Sequence, residues 1–248
     1  MLQAPKSTHK ALKYYFASLA LTAYIKLAAI HALTKYLSRP KEIYFLMISY
    51  LFMAAFNRSL ALAEIDDGRT KQLLIDTNFF LENLTSLGHP LNSLFLLATA
   101  YLAISAIIGQ NNRLGKDILA IFLSICWLVE LISINLLLVA PIKDPKLLLV
   151  EMLLFLPTII ISFTWWYWRI NYSYFLNNES GTEPITFKES TSTLNYFYLS
   201  IDTFFKYQPS YVSFNTKRAK SLHLFHAIVR LNVLGLTLGR AVSLATSA

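Results

Sequence analysis

Cysteine is almost missing from this chain. Cys126 is alone among 248 residues, which excludes an internal disulfide and a cysteine-based metal cluster. Charge is also scarce, at 15% of residues against 55% hydrophobic ones, a balance too apolar for an ordinary soluble domain. No GxSxG, HExxH, P-loop or glycine-rich dinucleotide turn occurs. No enzyme, cofactor or metal centre is therefore expected. No internal repeat is evident, which argues against an inverted-repeat transporter. No run carries Arg at every third position, so a voltage sensor of the usual kind is absent.

What is present is a series of long apolar runs. They cover 14–37, 43–63, 91–109, 118–140, 147–168 and 222–244, and a membrane-crossing helix needs about 20 such residues. The expected fold is an all-α integral membrane protein with about six spans. An interfacial first helix with five true spans is the alternative. The formal charge is +8, but its Lys and Arg sit mostly between apolar runs. That placement points to membrane lipids rather than nucleic acid as partners. The first run begins at Tyr14, contains Lys26 and has no small-residue cleavage site, so it is expected to stay in the chain.

Two connections are longer. In 64–89, the stretch LLIDTNFFLENL has apolar residues at helical spacing and reads as a short surface helix. The polar segment 177–193, with Gly181 and Pro184, reads as a flexible loop. At the end of the fifth run, Trp165, Trp166, Tyr167, Trp168, Tyr172 and Tyr174 form an aromatic belt suited to the membrane–water boundary.

Residues 194–205 are too few to span a bilayer, yet a full apolar run follows them. A short helix, a turn and a long helix suggest a re-entrant unit, whose irregular backbone must be shielded by protein or water. The chain thus divides into a helical region, 1–176, and a pore-like unit, 177–248. The sequence TLNYFYLSIDTFFKYQPSYVSFNTKRAKSLHLFHAIVRLNVLGLTLGRAVS resembles the pore domain of the potassium-channel superfamily. Tyr196, Phe197, Ser200 and Thr203 match its pore-helix pattern FxDxLYFSxxTxTT, and Arg218 stands where an Arg commonly precedes the inner helix. The resemblance implies a pore helix, an inner helix and a homotetramer. Where that family has its filter TVGYG, this chain has Lys206, Tyr207, Gln208, Pro209 and Ser210, with no glycine. Potassium selectivity is therefore not expected, because a carbonyl filter relies on glycine conformations.

Ionisable residues within apolar runs are costly and mark functional or paired positions. They are Lys26, Arg58, Glu130, Glu151 and Arg230. A Glu130–Arg230 ion pair is expected, with Arg58 as another partner for Glu130. In the last run, His223, His226, Arg230 and Thr237 fall on one side, and Asn232, Gly235 and Gly239 near the other. Gly235-x-x-x-Gly239 permits close helix approach or a hinge. The expected function is a channel-like protein of a bacterial plasma membrane, weakly selective or anion-permeable. A non-conducting subunit of a larger complex and a small-solute transporter using Glu130 are the alternatives.

Overall fold

The computed structural model describes residues 41–60, 69–86, 88–139, 145–177, 182–188, 192–206 and 209–247. The 14–37 run with Lys26, and Tyr207 and Gln208, lie outside the described residues. The chain is mostly helical. Its helices are α1 Lys41–Leu60, α2 Arg69–Thr85, α3 Pro90–Ile108, α4 Arg113–Val139, α5 Pro145–Asn177, α6 Thr193–Lys206 and α7 Lys217–Ser247. Two three-residue strands, β1 Ile185–Phe187 and β2 Val212–Phe214, pair antiparallel, with Thr186 opposite Ser213.

Local chemistry sets the helix limits. At α3, His89 takes an extended conformation, and its ring accepts a hydrogen bond from the Leu91 amide at 3.4 Å. Pro90 then fills the first helical position, where a missing N–H costs nothing. Gly109 ends the helix with φ 96°, a left-handed conformation that suits glycine. It lets the Gln110 amide reach the Ser105 carbonyl at 2.8 Å, which satisfies an otherwise orphaned end group.

Among the described residues, three helical segments are long and apolar enough to cross a membrane: Pro90–Ile108, Arg113–Leu137 and Val150–Phe175. The protein is accordingly membrane-embedded. Several sequence-based limits need correction. The fifth run does not stop at 168; α5 continues to Asn177, because the aromatic belt contains no breaker. The polar residues at 217–221 open α7 rather than forming a turn. The Thr216 hydroxyl caps it by accepting from the Ala219 amide at 3.3 Å. The segment 177–193 is not simply a flexible loop, since it contains β1.

α5 is the central helix and packs against α1, α4, α6 and α7. The buried side of α2, through Leu74, Leu81 and Leu84, packs on α1 and α4. The core has two parts. One joins α1 to α4 and Trp165, around Tyr50, Met53, Phe95 and Leu123. The other joins α5, α6, α7 and the hairpin to Phe56 of α1, Leu74 of α2 and Trp127 and Ile134 of α4, around Phe155, Phe163, Tyr167, Tyr196 and Phe204.

Candidate functional site

The most constrained part of the second core is the seat of α6. Tyr196, Leu199, Ser200, Thr203 and Phe204 are buried, and their spacing of three or four residues marks one helix face. Leu194, Tyr198 and Phe205 are exposed. The buried face carries its own polar anchors. The Ser200 hydroxyl donates to the Ile160 carbonyl of α5 at 2.9 Å.

Asn171, fully buried near the end of α5, ties three elements together. Its Oδ1 accepts from the Ile185 amide at 2.9 Å. Its Nδ2 lies 2.9 Å from the Ile185 carbonyl, 2.8 Å from the Tyr196 hydroxyl and 3.0 Å from Oε1 of Glu183. An amide nitrogen has two protons, so these three acceptors share them. β1 and the start of α6 are thereby fixed to α5.

The other end of α6 is held by α7. Nη2 of Arg230 donates to the Phe205 carbonyl at 3.3 Å. Terminal helix carbonyls lack intrahelical partners and favour a nearby cation. Arg230 lies about 20 Å along α7 from Lys217, at 1.5 Å per residue. Lys206 points outward, with Nζ 3.7 Å from Asp202. Beyond it, Pro209 is buried and Ser210 exposed in a turn. The Pro209 carbonyl accepts from Val212 N at 3.4 Å, and the Tyr211 carbonyl accepts from Lys188 N at 3.0 Å. Burial, with the Asp202 carboxylate close by, pushes the Tyr211 phenol above its ordinary range.

A polar cluster lies behind the C-terminal half of α6. The Tyr167 hydroxyl is 3.1 Å from Nδ1 of His226 and 3.5 Å from Nδ1 of His223, with Thr203 beside it. Phe163 stacks on His226 at 3.9 Å, and Phe214 on His223 at 4.3 Å. The two histidines therefore share one helix face, as their spacing implies. They are engaged in hydrogen bonds and ring contacts. Among the described residues, no group of three His, Cys, Asp or Glu could hold a metal.

The structure does not bring Glu130 to Arg230 or to Arg58. Glu130 is fully buried, and neither of its carboxylate oxygens has a hydrogen-bond partner among the described residues. Arg58 is exposed at the end of α1. Glu151 is buried near the start of α5, with Oε1 unpartnered among the described residues. Asn232 meets Asn135 of α4 through two reciprocal amide hydrogen bonds of 3.0 and 3.1 Å. Gly235 and Gly239 face open space, and a Cβ at either position would meet nothing within 4 Å. They do not provide a close helix approach within the described part of the chain.

Sequence reasoning missed Asn171 and Asn135. The only signal for either was an amide side chain inside a long helix, where an unsatisfied polar group is costly. Compared with family models, curated proteins and solved structures, the chain finds no match in any of the three.

Proposed function

We propose that this is a channel-like integral membrane protein whose re-entrant helix is α6. The observation that supports this reading is the Arg230–Phe205 contact, which ties the end of α6 to α7 well beyond the start of that helix. The chain then returns to the hairpin before α7 begins. Helix in, irregular segment out and long helix across is backbone that a membrane tolerates only when protein or water surrounds it. A homotetramer in a bacterial plasma membrane fits this reading. Leu224, Ile228, Leu231 and Gly235 form an exposed stripe on α7, available to a neighbouring copy. Lys206, with 72% of its side chain exposed, would place a cation from each copy near the return segment. Weak selectivity or anion permeation follows from that charge. Planar-bilayer recording of the purified chain tests the reading. Anion-favouring current that reverses its preference in Lys206→Glu is expected. No conductance across voltage, pH and salt would reject the conducting form.

One observation favours a second reading, a non-conducting subunit that anchors, senses or assembles with a protein partner. A filter needs carbonyls directed at the permeant ion, whereas those of Pro209 and Tyr211 accept backbone hydrogen bonds at the hairpin. Gentle extraction followed by partner analysis tests this reading. Recovery as a homogeneous homo-oligomer that carries current would reject it.

A further inference from the structure

We infer that the cavity at the hairpin end of the bundle binds the phosphate of an anionic phospholipid. Its volume is about 610 Å³, and it lies among the start of α4, the end of α5, the hairpin and the start of α7. The charged groups lining it are Arg169, Lys217, Arg218 and Asp117. Asp117 pairs with Arg169, and the Arg fork keeps further donors for another acceptor. Lys217 and Arg218, both exposed, have no ion-pair partner among the described residues. Three cations against one carboxylate leave excess positive charge, matched to a phosphodiester.

Depth separates a lipid from a soluble anion. Arg169 lies in the last turns of the apolar segment Val150–Phe175, and Asp117 in the first turns of Arg113–Leu137. The cavity therefore opens where the apolar helices end, at headgroup level. Trp166 also lines it, with its indole fixed by donation to Ser124 Oγ at 2.9 Å. An indole beside a cationic rim suits a ligand with a charged head and an apolar body. A zwitterionic choline headgroup would bring its own cation against the excess positive charge.

The test is native mass spectrometry of the full chain in nonionic detergent. It is titrated separately with dioleoyl phosphatidylglycerol, dioleoyl phosphatidylcholine and inorganic phosphate. One saturable phosphatidylglycerol per chain is expected, with phosphatidylcholine weaker. Lys217→Gln/Arg218→Gln should weaken phosphatidylglycerol binding by on the order of tenfold or more, since each basic residue near a membrane surface contributes about 1 kcal/mol. The charge-matched control Lys41→Gln/Lys188→Gln removes two exposed lysines outside the cavity and should retain the lipid. Thermal unfolding of each variant verifies that it remains folded. Equal binding of the two lipids, or equal loss in the control, would overturn the assignment. So would displacement of phosphatidylglycerol by an equal concentration of inorganic phosphate, which would identify a free-anion site instead.

Discussion

The two parts of the core satisfy their polar atoms in different ways. In the core of α1 to α4, hydroxyls mostly turn back on their own helices. Thr99 donates to the Phe95 carbonyl and Ser124 to the Ala120 carbonyl, each at 2.7 Å. Tyr50 donates across to Asn92 Oδ1 at 2.7 Å, and Asn57 and Asn92 donate to the Leu81, Thr85 and Ser86 carbonyls at the end of α2. In the core of α5 to α7, the ties run between elements: Asn171 to β1 and α6, Ser200 to α5, and Asn232 to α4. Local back-bonding leaves helix positions to apolar packing, which tolerates volume-conserving change. Cross-element hydrogen bonds specify position, because a displaced partner leaves a buried polar atom unsatisfied. The cross-element bonds of the first core thus join neighbouring helices and the turn after α2, whereas those at the seat of α6 also fix the hairpin and a short helix.

The largest expected effect comes from Asn171→Leu. It keeps much of the side-chain volume but leaves the Ile185 amide and carbonyl and the Tyr196 hydroxyl without their Asn171 contacts. Each buried group left unsatisfied costs about 1–3 kcal/mol, so a loss of about 3 kcal/mol or more is expected in reversible unfolding in detergent. In the other core, Leu123→Met should cost less than about 1.5 kcal/mol. If the two variants lose equal stability, the contrast between the cores collapses.

The contrast also explains what could be read from the sequence. Helices were legible where breakers bound an apolar run, as His89, Pro90 and Gly109 bound α3. The end of α5 was not, because polar residues such as Asn171 and Ser173 occur there without a breaker. β1 has three residues, too few for a period, and its partner lies across α6 in the chain. Directional ties of this kind join residues far apart in sequence, so Asn171 and Asn135 carried no local signature. Arg230 was legible as a costly charge in an apolar run. Its acceptor, a backbone carbonyl at the end of α6, was not, because every residue has one.

An intermediate effect is expected at the α4–α7 junction. The reciprocal Asn135–Asn232 pair should show a coupling of about 0.6 to 1.7 kcal/mol in a double-mutant cycle with Ala, the range for interhelical hydrogen bonds in membranes. Coupling near zero would mean that α7 is placed by packing alone.

The smallest expected effect is a coupling that should be absent. Two opposite charges in apolar runs invite an ion pair, and Glu130 with Arg230 is the obvious match from sequence. The structure gives each a different environment. Arg230 donates to the end of α6, while Glu130 lies fully buried in α4 with no hydrogen-bond partner among the described residues. Glu130→Gln therefore replaces the carboxyl group without breaking a described hydrogen bond. Arg230→Ala removes the tie to Phe205 and should destabilise the seat of α6. The two substitutions act on different contacts, so their effects should add within about 0.5 kcal/mol. A double-mutant cycle on thermal unfolding in detergent measures this directly. Coupling well above that limit, with the double variant recovering part of the Arg230→Ala loss, would restore the ion pair. It would also show that α6 is held by charge buried in α4, rather than by the directional bonds of its own seat.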